Sequence, residues 1–202
     1  MQIFAHLGKK LPIALPLLMV GALFIAGCGS SAAATPTATP VPPTATPMPT
    51  ATPVLNSTFS SSDGVYTFQF PGNWTQNPIN ASPIVNGVTL ASPDGNDLFF
   101  VTPFNIGIPA AQNSTFIQQT LVALGGKNIK LSAGGTAPLG SNTWTVEQGT
   151  VTLKGTAYDA AQFSLTHGGK AFFIIVLAPH TTSDADGTTY FQPMITSLTF
   201  LK

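Results

Sequence analysis

The densest group of side chains that could do chemistry in this sequence lies at residues 180 to 186. His180 follows a proline, and Asp184 and Asp186 come shortly after it. Imidazole and carboxylate groups are metal ligands, so these three side chains could form a small metal site. Their spacing matches no common ligand pattern, and we interpret the segment as a solvated loop with an acid at the start of a helix. The sequence therefore predicts no metal site.

Three other acidic or imidazole groups are candidates of a similar kind. Glu147 and Asp159 fall on predicted adjacent strands and could pair as two carboxylates for acid–base catalysis, but no second type of catalytic residue accompanies them. Asp94–Asp97 is similar to a calcium-binding loop, but the glycine and the terminal glutamate of that motif are misplaced, which favours a turn. His167 lies in a predicted Gly-Gly turn and is expected to be solvated.

The sequence has none of the short motifs that mark common catalytic and cofactor sites. It lacks a nucleophile elbow, a P-loop, a dinucleotide-binding fingerprint and a metalloprotease helix. We therefore expect no catalytic residues, no cofactor and no enzymatic activity. Four aromatic residues, Trp74, Phe99, Phe100 and Phe104, could line an apolar groove for a ligand, but packing in the core is the preferred interpretation.

The remaining reactive group is the thiol of Cys28, the only cysteine among 202 residues. His6, Lys9 and Lys10 precede an apolar stretch, residues 11–26, that is shorter than the roughly 20 residues needed to span a bilayer. A weakly basic start followed by a short apolar stretch is typical of a secretory signal peptide. A single cysteine also excludes an intramolecular disulfide, so the folded part must be stabilised by its core.

The residues at the end of this stretch, Ile25-Ala26-Gly27-Cys28, resemble the lipobox of bacterial lipoproteins. The resemblance implies that the leader, residues 1–27, is removed and that Cys28 becomes the acylated first residue. Acyl chains such as palmitate would then anchor the protein on the extracytoplasmic face of the cell membrane, and two or three chains make a firm anchor. The alternative is a free cysteine buried in an uncleaved hydrophobic anchor helix.

A low-complexity tract follows the cysteine, and we assign residues 28–57 to a disordered linker. Its centre, residues 35–53, repeats Thr-Ala-Thr-Pro. Prolines forbid helix there, and the tract has too little apolar bulk to collapse. An extended polyproline-II chain rises roughly 3.1 Å per residue, so about 28 residues reach on the order of 90 Å. The tract is therefore interpreted as a spacer rather than as a proline-rich peptide ligand, which would need basic or aromatic anchors.

The remaining residues, 58–202, are enough for one domain with a core. Only 7% of all residues are charged, against roughly 25% in ordinary soluble proteins, and the chain has no arginine. Five scattered lysines in this part cannot build a phosphate-binding face, so nucleic acid is not an expected partner. The patterns predict strands over 63–70, 84–91, 97–102, 128–132, 143–153, 156–166 and 171–177, one helix over 113–124, and another beginning near Thr188.

The two ends of this part resemble PsbP-like domains. The opening Gly64–Trp74, an aromatic strand followed by Pro-Gly-Asn-Trp, is similar to the start of that family, and Ile195–Phe200 is similar to its close. The resemblance implies an α+β fold, an antiparallel sheet of about six or seven strands with helices on both faces. It supplies no catalytic residues to transfer, and we do not carry over a photosynthetic role.

Three functions follow as hypotheses. The first is a lipid-anchored, non-enzymatic accessory or binding domain whose partner is an unknown envelope protein or ligand. The second is a module that binds a small ligand or glycan, which a concave pocket would favour. The third is a cell-envelope hydrolase, which would be indicated by a buried acid or histidine with a strongly shifted pKa beside a cleft.

Overall fold

The computed structural model describes residues 55–80, 82–105 and 112–201; the predicted signal peptide and the predicted linker up to residue 54 lie outside them. The described strands form two antiparallel sheets. The elements are β1 (Ser57–Ser60), β2 (Tyr66–Phe70), β3 (Thr75–Ile79), β4 (Gly87–Ala91), β5 (Leu98–Phe104), α1 (Asn113–Ala123), β6 (Lys127–Leu139), β7 (Asn142–Leu153), β8 (Thr156–His167), β9 (Lys170–Pro179), α2 (Ser183–Asp186), a π-helical segment (Gly187–Phe191), α3 (Gln192–Thr196) and β10 (Thr199–Phe200).

The larger sheet has seven strands in the order β3-β4-β5-β9-β8-β7-β6, so β9 lies at its centre. Residues 171–178 of β9 are all buried, as the apolar run on both faces of this strand predicts. On one face, Ile117 and Leu121 of α1 pack against the sheet. On the other face, residues of β1, β2 and the C-terminal helices share one core with it. The predicted α+β fold with helices on both faces of a seven-stranded sheet is thus confirmed.

A second sheet, which the sequence did not predict, consists of β1, β2 and β10. The predicted strand over 63–70 therefore pairs with β1 and β10 rather than with the larger sheet. Its aromatic residues, Tyr66 and Phe68, are 1% exposed and face the larger sheet. The small sheet thereby covers the face that α1 leaves free.

The C-terminal helical segment begins at Ser183, five residues before the predicted start near Thr188. Pro193 is tolerable in a helix only within the first turn, because proline has no N–H to donate and its ring clashes with the preceding turn. The segment widens into a π-helix over Gly187–Phe191 and returns to α-helix at Gln192, so Pro193 occupies the first turn of α3. The wider turn accommodates the proline inside a continuous helical segment.

The aromatic side chains Trp74, Phe99, Phe100 and Phe104 are at most 8% exposed, and each belongs to a buried cluster. The preferred interpretation of these residues as core is therefore confirmed. Trp74 comes directly after the Pro-Gly-Asn turn and packs on Tyr190 and Phe191, at ring-centroid distances of 5.5 and 6.2 Å. None of the helices among the described residues is long and apolar enough to cross a membrane.

Candidate functional site

An open cleft of about 550 Å³ lies at one end of the larger sheet. The β4–β5 turn, the start of β8 and the end of β9 meet there, because antiparallel pairing places Ala91 beside Leu98, and Tyr158 beside Pro179. The π-helical segment contributes Tyr190, and α2 contributes its last residue. The residues that line the cleft are Asn73, Trp74, Ser92, Pro93, Asp94, Asn96, Asp97, Thr156, Pro179, Thr181, Thr182, Asp186 and Tyr190.

The β4–β5 turn holds Asp94 rigidly at the rim of this cleft. Its Oδ1 accepts hydrogen bonds from the Ser92 hydroxyl at 2.6 Å and from the Asn96 backbone N–H at 3.1 Å, and its Oδ2 accepts one from Asn96 Nδ2 at 2.8 Å. These bonds, led by that from Ser92, hold the pKa of Asp94 below its ordinary value. Both carboxylate oxygens are thus used by the turn, as the interpretation of this segment as a turn rather than a calcium loop requires.

Asp97 lies deeper in the cleft and is only 7% exposed. Its backbone N–H donates to the Ser92 hydroxyl at 2.9 Å, which fixes the backbone at the start of β5. Its Oδ1 is buried without a hydrogen-bond partner among the described residues. Burial of this kind costs free energy unless a partner is supplied, so this oxygen is the unsatisfied group of the cleft.

Burial, followed by the negative charges of Asp186 and Asp94, raises the pKa of Asp97 to about 7. A side-chain hydrogen bond with Asp186 acts in the same direction. Ionised carboxylates only accept hydrogen bonds, so this bond exists only while the pair holds a proton. The carboxyl group of Asp97 therefore keeps its proton up to a higher pH than an ordinary aspartate does.

The cleft carries no basic group that would neutralise these acids. Among the described residues, Lys170 forms an ion pair with Asp63 at 3.3 Å, and His180 Nδ1 lies 2.9 Å from Asp159 Oδ1; none of these four residues lines the cleft. The acids of the cleft also act on Tyr158. Burial, and then the negative charges of Asp97 and Asp94, raise the pKa of this residue. The local field is consequently negative, and it favours a cation or a proton.

The sequence did not identify Asp97 as a site residue, because its partner Asp186 is 89 positions away. Periodicity shows which residues share one strand face, but it does not show which loops meet at the end of a sheet. The only local signal was an acidic residue directly before a strongly apolar strand.

The structure separates the three residues that the sequence considered as a metal site. His180 Nδ1 lies 2.9 Å from Asp159 Oδ1, Asp184 is exposed, and Asp186 lines the cleft. No group of three or more histidine, cysteine, aspartate or glutamate side chains among the described residues is arranged to hold a metal ion. Asp184 and Asp186 do lie in the first helical turn, as the interpretation of an acidic helix start expected.

Asp159, His180 and Ser183 include the residue types of a catalytic triad, but their connections are different. A nucleophilic serine donates its proton to the histidine, which the aspartate holds from the other side. Here the Ser183 hydroxyl donates to Asp159 Oδ2 at 2.5 Å, and His180 binds the same carboxylate through Nδ1. Asp159 is therefore the centre of the network, and the arrangement ties the start of α2 to β8 instead of activating a nucleophile.

We expect Ser183→Ala to lower the free energy of unfolding by about 1.5–3 kcal/mol, because a buried hydrogen bond to a carboxylate is lost. Urea denaturation of both proteins measures this difference. Ser114→Ala is the matched control, since the Ser114 hydroxyl donates to Glu147 Oε1 at 2.6 Å in an exposed position. The control should lose less than about 1 kcal/mol. Equal losses in the two variants would contradict the structural role of Ser183.

The other candidates from the sequence are also separated. Glu147 pairs in register with Gln162, and Asp159 pairs with Thr150. Gln162 and Asp159 are three positions apart on β8, so the two acids lie on opposite faces of the sheet. The expectation for His167 was wrong, because this residue ends β8, is partly buried and stacks on Phe200 at a centroid distance of 4.0 Å.

No protein-family model matches the chain, and no curated protein sequence matches it. Among solved structures, CyanoP, the cyanobacterial PsbP of Synechocystis sp. PCC 6803, is similar with a TM-score of 0.51 and 12% identity, over 71% of this chain and 91% of CyanoP. LpqN of Mycobacterium tuberculosis has a TM-score of 0.42 and 17% identity, over 71% of this chain and 89% of LpqN.

A protein of Bacteroides thetaiotaomicron has a TM-score of 0.49 and 16% identity, over 74% of this chain, which spans about half the length of that protein. Identities this low are informative about the fold alone, and only the similarity to CyanoP is close enough to carry that conclusion. The described residues have the antiparallel α+β fold of the cyanobacterial PsbP protein.

Proposed function

We propose that this chain is a lipid-anchored, extracytoplasmic binding protein whose folded domain holds a small polar ligand in the cleft at the end of the sheet. The observation that carries the proposal is the buried carboxyl group of Asp97, a residue that lines the open cleft and whose Oδ1 has no hydrogen-bond partner among the described residues. Native proteins leave few buried polar atoms unsatisfied, and such an atom in a concave site is a natural contact for a ligand.

The size and lining of the cleft suit a ligand of this kind. Its volume of about 550 Å³ lies within the 300–1,000 Å³ that is typical of small-molecule sites. Hydroxyl and amide groups dominate the rim and can donate or accept hydrogen bonds. These groups belong to Asn73, Asn96, Thr156, Thr181, Thr182 and Tyr190.

Blocking the cleft tests the binding function. Thr181 is an exposed residue of the rim, and Thr181→Trp should fill part of the cleft. Thr143→Trp makes the same change at an exposed position of β7 that does not line the cleft. Thermal-shift screening with neutral sugars, amino sugars and aliphatic diamines should find a stabilising ligand for the wild type and for Thr143→Trp. Binding should be at least tenfold weaker in Thr181→Trp, and unchanged binding would contradict the proposed site.

The anchor rests on the resemblance of Ile25–Cys28 to a lipobox and on the tract that follows. We expect Cys28→Ser to remove acylation and to abolish incorporation of labelled fatty acid, because serine has no thiol to accept a diacylglycerol group. Fractionation of cells, together with metabolic labelling, measures both effects. Ser30→Ala, two residues further along, is the control and should remain labelled. Loss of labelling with full membrane retention would point to an uncleaved hydrophobic anchor instead.

A hydrolase is the second candidate function, because a buried acid with a pKa of about 7 beside a cleft is a common feature of catalytic sites. Asp97 would be the acid and Asp186 the base. Turnover of a polysaccharide or peptide that is lost in Asp97→Asn would establish the enzyme; ligand binding without turnover favours the binding protein.

A further inference from the structure

The acids of the cleft differ in how many hydrogen bonds their carboxyl groups already accept from the protein. Asp94 accepts three hydrogen bonds from its own turn, so little of its carboxylate is left for a ligand. Asp97 Oδ1 has no donor among the described residues. The two acids come from different parts of the chain, since Asp97 directly precedes β5 and Asp186 ends α2, and they lie close enough for Asp186 to raise the pKa of Asp97. A group that donates hydrogen bonds and carries positive charge would satisfy both carboxylates at once.

Resting on the binding function proposed above, we propose that the cleft recognises the primary ammonium group of a small ligand, either an amino sugar or an aliphatic diamine. This group would donate to the buried Asp97 Oδ1 and take the place of the proton on the Asp97 carboxyl group. No bond other than hydrogen bonds forms or breaks, and the displaced proton passes to the solvent.

An ammonium group fits this site better than a metal ion. A divalent ion needs several oxygen ligands at about 2.0–2.6 Å, and the described residues hold no group of three or more suitable side chains. An ammonium group is a donor of three hydrogen bonds and tolerates acceptors that are further apart. Asp97 Oδ1, which is buried without a partner, is an acceptor of the kind it needs.

The aromatic side of the cleft adds a second attraction for a cation. Trp74 and Tyr190 both line it, and their ring centroids are 5.5 Å apart. Tyr190 is only partly buried, so it remains available to a ligand. A cation within about 6 Å of such a ring gains roughly 0.5–2 kcal/mol, and a sugar or an alkyl chain can pack on the same surface.

Displacement of the proton on Asp97 makes the affinity depend on pH. The titratable groups facing Asp97 are Asp94 on its own turn, Asp186 on α2 and Tyr158 on β8. The pKa of Asp94 is lowered, so this carboxylate is negative at neutral pH, and Tyr158 is neutral there because its pKa is raised from 10.0. Since the pKa of Asp97 is about 7, a ligand must expel one proton below that pH. The affinity of a permanently charged alkylammonium ligand should therefore rise about tenfold per pH unit from pH 5 to about pH 7, and then level off.

Calorimetric titration of the full-length protein in detergent micelles tests the inference with three probes. Glucosamine and N-acetylglucosamine share the sugar ring but differ in the charged amine, and 1,4-diaminobutane carries the amine without the sugar. We expect glucosamine, diaminobutane or both to bind at pH 7, and N-acetylglucosamine to bind at least tenfold more weakly. Whichever amine binds more tightly identifies the source of the ammonium group. For diaminobutane, binding should gain up to about 100-fold between pH 5 and pH 7.

Single substitutions test whether the amine binds at the carboxyl groups of Asp97 and Asp186. Asp97→Asn and Asp186→Asn should each weaken amine binding at least tenfold, and Asp97→Asn should also remove its pH dependence. Asp184→Asn is the matched control, because Asp184 lies on the same helix but is exposed and does not line the cleft. Its binding should stay within twofold of the wild type. Circular dichroism confirms folding, and Asp186→Asn carries the test if Asp97→Asn fails to fold.

The outcomes separate this inference from the proposed function. Equal binding of glucosamine and N-acetylglucosamine, or binding that does not change with pH, would overturn the ammonium inference but leave a ligand-binding cleft. Calcium binding in place of amine binding would overturn it in the same way. If neither amine binds, the ammonium inference is wrong. If Thr181→Trp also leaves the binding of every neutral ligand unchanged, the cleft is not the binding site at all.

Discussion

Asp97→Asn should stabilise the protein above pH 7 and remove much of its loss of stability between pH 5 and pH 8. The pKa of Asp97 is raised from the ordinary 3.8 to about 7 in the folded state, so the folded protein binds more protons than the unfolded chain between these values. Stability is therefore fully present below about pH 4 and is lost as the pH rises to about 7. The full difference corresponds to roughly 4 kcal/mol, of which about 2–3 kcal/mol falls between pH 5 and pH 8.

The asparagine variant has no charge to bury at this position, so its stability should not follow that decline. Urea denaturation of the wild type and the variant at pH 5, 6, 7 and 8 measures the difference. This range avoids two other acids, Asp63 and Asp94, whose pKa values are lowered. Burial acts to raise the pKa of Asp63, but its hydrogen bonds, led by that from Ser61, lower the pKa by a larger amount. Acids with lowered pKa values lose their stabilising contribution only as the pH falls below about 4.

Asp184→Asn is again the control, because this carboxylate is exposed and does not line the cleft. Its pH profile should overlay that of the wild type. If Asp97→Asn follows the wild type through the whole range, the carboxyl group of Asp97 does not hold a proton near neutral pH. The reasoning about proton displacement in the cleft would then be wrong as well.

The parts of the fold that the sequence predicted are those with strong local signals. The hairpin at 92–96 has a turn sequence with glycine at a φ of 73°, and α1 has apolar residues at helical spacing before two glycines. The central position of β9 followed from its apolar character on both faces. In each case the residues that decide the structure lie next to one another in the sequence.

The elements that the sequence did not predict depend on partners elsewhere in the chain. β3 is Thr-Gln-Asn-Pro-Ile, a polar edge strand with four exposed residues, and it exists because it pairs with β4. β10 has only two residues and is held by β2. β6 is much longer than predicted, because a bulge between Ala133 and Gly135 lets the strand continue through two glycines.

The sequence could not predict the cleft, for the same reason. Asp97 and Asp186 meet because the β4–β5 turn and α2 both lie at one end of the sheet, and this follows only from the strand order. The sequence did define the observation that would reopen the enzyme hypothesis, a buried acid with a shifted pKa in a cleft, and Asp97 has these properties. It did not predict which acid this would be.

Phe172→Ala should lower the free energy of unfolding by about 3–5 kcal/mol. Phe172 is 0% exposed on the central strand. Its ring meets Tyr66 of the small sheet edge-on at 5.7 Å and Phe200 of the same sheet at 4.8 Å. The substitution leaves a cavity between the sheets and removes two aromatic contacts, each worth about 0.5–1.5 kcal/mol beyond area burial.

A double-mutant cycle with Phe200→Ala separates the docking of the small sheet from simple loss of buried volume. Phe200 is partly buried, so its substitution alone should cost less than that of Phe172. If the ring contact helps to hold the sheets together, the double variant should be more stable than the sum of the two losses implies, by about 0.5–1.5 kcal/mol. Strict additivity would mean that Phe172 acts only by filling space, and the two sheets would then be held by β2 and the C-terminal helices. Val122→Ala, at a position 57% exposed on α1, is the control and should change stability by no more than about 0.5 kcal/mol.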